Sequence, residues 1–408
     1  MSFKQLDPQI LKTVTELGYR EPTPIQEEAI PKVLEGVDIL ASAQTGTGKT
    51  AAFLLPAIQK IMTPSTKTGK GARVLILVPT RELAMQVSEE SVKFTKRFPQ
   101  IKTVCIFGGV PYPVQNRQLS HYHEILVATP GRLIDHLNRG RINFSRLELL
   151  ILDEADRMLD MGFVEPVLEI KEHIPEKVQT LLFSATLKGQ VLNLSKKLLE
   201  NPVSIAVAQK KENHNNIEQS IYHADQIRHK NQLLVHHLND ESIYQAIVFT
   251  ARKHYADQLV LELKESGHKA AALHGDMDQR RRSRTIQSLR DGKVRILVAT
   301  DVAARGIDVQ SITHVINFDL PSSAEDYVHR IGRTGRADAK GKAISFVLPS
   351  EHSLIRKIES YTGSKINTQV VEGLEPKKSV VKNSPFKKPF NKNRNRRSNK
   401  SYGSSRKY

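Results

Sequence analysis

The sequence predicts an α/β protein built from two tandem, doubly wound parallel-sheet domains followed by a disordered basic C-terminal tail. Three observations carry that expectation. Short apolar runs bounded by turn residues alternate with helical patterns through both halves of the 408-residue chain, as in strand-helix units that feed a parallel sheet buried on both faces. One polar stretch at 209–216 (Q-K-K-E-N-H-N-N) interrupts the alternation near the middle, and a chain of this length exceeds what one core comfortably fills. From Pro376 to Tyr408 there are 12 Lys or Arg and no Asp or Glu, with too little apolar content to offset the entropy of folding.

In the first half the runs place strands at 37–43, 73–78, 102–107, 124–129, 147–152 and 179–184. The first leads into A-Q-T-G-T-G-K-T at 43–50, with a helix expected over 50–61. Between a strand and a helix such a loop cradles phosphates: Gly46 and Gly48 let backbone N–H groups approach, Lys49 reaches the β- and γ-phosphates, and the Thr50 hydroxyl can ligate Mg²⁺. Ala43 stands where the usual phosphate loop begins with Gly, but the Gly-Lys-Thr end is intact. Taken alone, the Gly/Thr-rich turn is also compatible with an ordinary strand-to-helix connection. About 100 residues on, the apolar Leu149 to Leu152 run ends in Asp153-Glu154-Ala155-Asp156. Carboxylates at the C-terminal end of a buried parallel strand fall where open α/β sheets bind ligands. A metal site beside a phosphate cradle follows, with Thr50 and Asp153 as metal anchors and Glu154 placed to orient and deprotonate water.

In the second half, strands at 220–223, 246–249, 269–274, 294–299, 313–317 and 343–348 repeat the architecture without a second phosphate loop. A nucleotide is therefore expected in a cleft that the second lobe completes on closure. That lobe carries H-R-I-G-R-T-G-R at 329–336, where Arg330, Arg333 and Arg336 recur every three residues. Guanidinium forks that keep their charge suit γ-phosphate recognition and transition-state charge; an exposed basic turn is the other reading. The expected boundaries are 1–208 for the first lobe, 209–217 for a linker, 218–368 for the second lobe and 369–408 for the tail.

The formal charge is +18, yet the residues before Pro376 hold 49 basic and 43 acidic side chains, a balance of only +6. Phe386, Phe390, Tyr402 and Tyr408 interleave with the tail's charges, a pairing suited to single-stranded nucleic acid through phosphate attraction and base stacking. A solubilising tail would share this composition. The single cysteine, Cys105, excludes an internal disulfide, and its apolar run at 104–107 marks it as core rather than nucleophile. No apolar run nears the ~18 residues that read as a membrane span, and the N-terminus has no apolar leader core. A reducing cytoplasm, with no membrane partner, is the expected setting.

Taken in order, these motifs resemble the DEAD-box ATP-dependent RNA helicases of superfamily two, specifically the bacterial RhlE-type group with a short basic tail. The resemblance spans about residues 1–365 and implies that each lobe is RecA-like. G-Y-R-E-P-T-P-I-Q at 18–26, with Phe3 upstream, matches the Q motif, which implies that Gln26 reads the adenine edge while Phe3 stacks on the base. Besides Phe3, Arg20 and Gln26, the implied ATP contacts are Ala43, Gln44, Thr45, Gly46, Thr47, Gly48, Lys49, Thr50, Gly306 and Asp308, the last near the ribose. Lys49, Asp153, Glu154, Arg333 and Arg336 are the implied catalytic set. Implied RNA contacts are Pro79, Thr80, Arg81, Gly109, Thr129, Pro130, Gly131 and Arg132 in the first lobe, and Thr250, Gly275, Arg282, Thr300 and Arg305 in the second. Ser184, Thr186 and His329 are the residues implied to couple hydrolysis to unwinding. ATP and Mg²⁺ are the implied cofactors, sequence-independent binding of single-stranded RNA and short duplexes the implied partnership, and a monomer acting on ribosomal precursors or in RNA-decay complexes the implied setting. A DNA translocase of the same superfamily and a non-enzymatic RNA-binding scaffold are the rival readings, the latter at odds with the intact catalytic set.

Overall fold

The computed structural model describes residues 2–43, 46–65, 67–69, 71–187, 189–206, 216–304, 307, 309, 311–335 and 340–377. Gln44, Thr45, Arg305, Gly306, Asp308 and Arg336, together with the basic chain from 378 onward, lie outside the described residues.

In the first lobe seven strands form one parallel sheet: β1 (Ile39–Ser42), β2 (Val74–Leu77), β3 (Thr103–Ile106), β4 (Ile125–Ala128), β5 (Leu149–Leu152), β6 (Gln179–Ser184) and β7 (Val203–Ala206), in the order β3-β4-β2-β5-β6-β1-β7. The continuous apolar runs follow from cover on both faces. In β5, Leu149 and Ile151 pack on one side with Phe53 and Leu54 of α3 (Lys49–Met62), while Leu150 and Leu152 pack on the other with Met158 of α7 (Ala155–Asp160) and Val167 of α8 (Val164–Glu172). Because β1 and β5 both border β6, the loop after β1 and the turn after β5 open on one sheet edge, roughly 10 Å apart by strand spacing. Cys105 donates to the Ala84 carbonyl at 3.4 Å, and burial pushes its thiol up to about 12, an inert core group.

The second lobe repeats the plan with β8 (Ile217–His223), β9 (Ala246–Phe249), β10 (Ala270–Leu273), β11 (Ile296–Ala299), β12 (His314–Asn317), β13 (Gly341–Val347) and β14 (Asn367–Gln369), ordered β10-β11-β9-β12-β13-β8-β14 and parallel throughout. The lobes meet through Arg282 and Glu82 (2.6 Å), Arg157 and Asp326 (2.7 Å), and Arg81 and Gln279 (3.4 Å).

Two edge strands escaped the sequence reading. β7 buries only Ile205, and β14 is Asn-Thr-Gln with all three side chains exposed, so neither shows the apolar run that marks an inner strand. The tail boundary at 368 also needs correction. Val371 is buried in the second lobe's core with Leu374 packed against that core, His229 Nε2 bonds the Leu374 carbonyl at 2.9 Å, and the Lys377 N–H donates to Asp225 at 2.9 Å. Two apolar side chains after 368 are enough to hold the chain to its lobe through 377. The expected linker falls almost wholly on 207–215, outside the described residues.

Candidate nucleotide and nucleic-acid sites

Gly46 and Gly48 take left-handed φ of 89° and 88°, and Gly48 caps α3. A Cβ at Gly48 would collide with Gln26 Nε2, so glycine is needed there for both conformation and space. The backbone N–H groups at the start of α3 are therefore turned outward at the positive end of its dipole, a ready seat for an anion. Lys49, 6% exposed, lies 3.6 Å from Asp153 Oδ1, and its Nζ makes no hydrogen bond among the described residues.

Asp153 is 2% exposed and accepts from the Glu154 N–H at 2.9 Å. Burial pushes its carboxyl up to about 6, against the pull of the Lys49 ammonium and with a further push from the neighbouring Glu154. Glu154 occupies the left-handed region at φ 55°, ψ 50°. The reason is local: Asp153 N–H still bonds the Leu77 carbonyl of the sheet, while Arg157 and Met158 already bond the Glu154 carbonyl as the first turn of α7. One residue must turn strand into helix.

Gln26, 1% exposed, accepts from the Thr23 N–H at 3.0 Å and donates to the Gly48 carbonyl at 3.1 Å. A carboxamide has one further N–H and one further lone pair, the complement of an adenine N6–H and N7 edge. Phe3 packs against the first lobe's core, while Arg20 is exposed. Ser184 donates to the Thr186 carbonyl at 2.7 Å, and the Ser184 carbonyl accepts from Ala43 N–H at 3.0 Å. The Ser-Ala-Thr turn is thus wired to the strand that enters the phosphate loop.

The three-residue arginine spacing divides by environment. Arg330, on α14 (Ala324–Ile331), forks onto Asp301 at 2.6 and 2.7 Å and donates to Asn317 and to the Asp319 carbonyl. It is a buried structural clamp. Arg333 donates to the His329 and Ile307 carbonyls at 3.2 and 3.1 Å. His329 Nδ1 is buried without a partner among the described residues.

Between the lobes lies a cavity of about 390 Å³, to which the first lobe contributes Pro79, Thr80, Arg81, Thr129, Gly131 and Arg132 and the second Gly275 and Arg282. Gly109 adjoins it, since a Cβ there would meet the Arg81 guanidinium. Burial, then the nearby Arg282, pulls the Arg81 guanidinium down, with Glu82 acting against them. Arg132 donates to the Val110 carbonyl at 2.7 Å and sits over the Tyr112 ring at 4.4 Å. Thr300 is half-buried, while Pro130 and Thr250 are buried, and Thr250 Oγ1 donates to the Arg252 carbonyl at 3.3 Å. Arg282 is 5% exposed and spent on Glu82, at 2.9 Å through Nε and 2.6 Å through Nη2, and on the His274 carbonyl. In this arrangement Arg282 links the lobes while lining the same cavity. Glu82 and Arg157, neither of them singled out as site residues, take part in two of the contacts between the lobes.

The DEAD/DEAH box helicase family model matches residues 23–194, and the helicase conserved C-terminal domain matches 229–338. The chain is 43% identical over 389 residues to the ATP-dependent RNA helicase SrmB of Haemophilus influenzae, covering 94% of this chain and 88% of that protein. It is also 43% identical over 357 residues to the DEAD-box ATP-dependent RNA helicase RhpA of Helicobacter pylori, covering 88% and 71%. Among solved structures, a point variant of S. cerevisiae Dbp5 bound to RNA and ADP BeF3 superposes with a TM-score of 0.81 at 32% identity, over 90% of this chain and 95% of that one. The same point variant bound to Nup159, a variant of Gle1, IP6 and ADP reaches only 0.60 at 30% identity, over 89% and 95%. The phosphate loop, the Asp153-Glu154 turn and the two seven-stranded sheets are thus the parts of a known machine, and the chain belongs to the DEAD-box ATP-dependent RNA helicases.

Proposed function

We propose that this protein binds ATP and single-stranded RNA together across its two lobes, hydrolyses the ATP, and opens short RNA duplexes locally rather than processively. The observation that carries this reading is Lys49: a buried ammonium at the N-terminus of α3, 3.6 Å from Asp153 and without a hydrogen-bond acceptor among the described residues, for which a nucleotide phosphate is the fitting partner. The similarity to the Dbp5 variant bound to RNA and ADP BeF3, greater than to the same variant in another complex, supports a lobe arrangement suited to both ligands.

The residues present also fit Mg²⁺. Asp153 is a buried carboxylate held near the phosphate cradle, Thr50 is a hydroxyl on the first turn of α3, and among the described residues no group of three or more His, Cys, Asp or Glu could hold a metal alone. A hard cation shared between one carboxylate, one hydroxyl and nucleotide phosphates matches that donor set. When bound, such an ion neutralises charge on the transferring phosphoryl group. Lys49 and the loop amides would hold the β- and γ-phosphates. Glu154 would orient a water and take its proton, and Arg333 and Arg336 would meet the γ-phosphate, with Asp308 near the ribose. Ser184, Thr186 and His329 would relay closure between the lobes. Arg81, Arg132 and Arg305, with backbone amides of the glycine turns, would grip the sugar-phosphate chain without reading bases, and contacts to 2′-hydroxyls would favour RNA over DNA.

The RhlE-type assignment rests on the basic composition of residues 376–408 after the two lobes. Cytoplasmic ribosomal precursors or RNA-decay complexes are the proposed setting, with the protein acting as a monomer; among the described residues no helix is long and apolar enough to cross a membrane. Matched single strands of RNA and DNA test the reading in a steady-state ATPase assay. RNA should stimulate turnover and DNA should not, with Lys49→Ala inactive. Equal stimulation by both would favour the DNA translocase, and no turnover with either would favour the scaffold.

A further inference from the structure

Arg157 lies one turn beyond Glu154 on α7 and is 5% exposed. Asp160 of its own lobe stands 3.3 Å from Nη1. Burial alone would pull the Arg157 guanidinium down, yet Asp326, Asp156 and Glu154 together push it up. The same Nη1 donates to Asp326 Oδ1 of the opposite lobe at 2.7 Å. Asp326 is set for that contact: Ser323 Oγ accepts from the Asp326 N–H at 3.0 Å and donates to Oδ2 at 2.9 Å, leaving Oδ1 to face Arg157. At the far end of the same helix, Arg330 is clamped on Asp301 and Arg333 is tied to the His329 carbonyl. The helix leading to the candidate arginine finger is therefore fixed to its own lobe at one end and to α7 of the other lobe at the other.

Burial first, then Glu325 of one lobe and Asp156 of the other, pushes the Tyr361 phenol up, against the pull of Arg157. Without Arg157, closure would press Glu325 and Asp326 toward Asp156 and Asp160. Like charges juxtaposed without the cation between them oppose such a contact.

We propose that Arg157 and Asp326 are positioning residues whose ion pair sets α14 and its arginines against the Asp153-Glu154 turn, so that joint closure depends on the pair while binding of either ligand alone does not. The proposal rests on the reading that ATP and RNA close the lobes together. Its test measures the affinity of the full chain for a short oligouridine with and without AMP-PNP, in Arg157→Gln, Asp326→Asn and the double variant. Affinities for each ligand alone should stay within about twofold, while the tightening of RNA by AMP-PNP should fall by about tenfold, a typical coupling between sites. Arg157→Gln should lose more than Asp326→Asn, which leaves Arg157 its own-lobe carboxylates. Losses in the double variant should fall short of additive, as for two groups in one contact. Unchanged tightening in the single variants, or additive losses, overturns the proposal. Should Arg157→Gln unfold, Asp326→Asn and Ser323→Ala carry the test, and unchanged tightening in both overturns it. Absence of tightening in the unaltered protein overturns the closure reading and the role of the pair with it.

Discussion

Glu154 offers a test that separates backbone strain from chemistry. Its φ of 55° and ψ of 50° put a side chain with a Cβ where an L-residue costs about 1–2 kcal/mol. Replacing it by Ala or by Gly removes the same carboxylate, but only Gly relieves the conformation. Glycine gives back about 0.5–1 kcal/mol through its freer unfolded chain, so Glu154→Gly should be more stable than Glu154→Ala by a net of about 0.5–1 kcal/mol. For a lobe of this size that difference corresponds to roughly 1–4 °C in Tm, measured by thermal unfolding of the nucleotide-free variants. Both should hydrolyse ATP at least about 10²-fold more slowly in single-turnover assays, as expected for loss of a general base. A Glu154→Gly variant no more stable than Glu154→Ala would refute the strain argument. Near-normal hydrolysis in both would refute the role of the carboxylate.

Further outcomes follow from the same geometry. Because Asp153 is raised to about 6, the folded state binds more protons than the unfolded one between about pH 4 and 6, so this group's contribution to stability falls as pH rises through that window; kcat/KM for Mg·ATP should show an acid limb near pH 6 that moves lower in kcat, and a flat profile from 5.5 to 7.5 would contradict it. Gln26→Ala should reduce the preference for ATP over GTP by at least about tenfold, because a site built to hydrogen-bond a base edge rejects its analogue strongly; an unchanged ratio of the two kcat/KM values would count against adenine reading. Truncation after Lys377 should leave hydrolysis at saturating RNA within about twofold but reduce the slope of log affinity against log salt by roughly 3–4, if four to six tail cations meet single-stranded phosphates. Truncation after Val370 should in addition destabilise the second lobe by about 2–4 kcal/mol, since Val371 and Leu374 leave its core; equal stability of the two truncations would show that 371–377 is not part of that core.

What was legible in the chain was whatever local physics dictates. A strand covered on both faces must be apolar along its length, so the inner strands could be read from runs such as Leu149 to Leu152. The phosphate loop and the Asp153-Glu154 turn could be read because backbone approach needs glycine and strand ends present carboxylates. Edge strands obey no such demand: β14 is polar because solvent covers it. Contacts between distant residues were hidden for a different reason. The arginines at 330, 333 and 336 are spaced alike, and only the fold brings Asp301 against Arg330 and leaves it spent. Arg282 meets Glu82, 200 residues away in sequence, and no periodicity reports that. For Arg157 and Asp326 a partial signal existed. Ser323 and Asp326 stand three apart before an apolar-faced helix, a helix-start pattern that fixes a carboxylate, and Arg157 is the single cation in D-E-A-D-R-M-L-D.

The central claim is that ATP and RNA favour one closed arrangement of the lobes, and reciprocal binding tests it most directly. The affinity for a short single-stranded RNA would be measured with and without a saturating non-hydrolysable ATP analogue, and the affinity for the analogue with and without saturating RNA. Linkage requires the two ratios to be equal, and closure predicts that both are well above one, on the order of tenfold or more. Ratios of one in both directions would show that the lobes bind their ligands independently and would contradict the account.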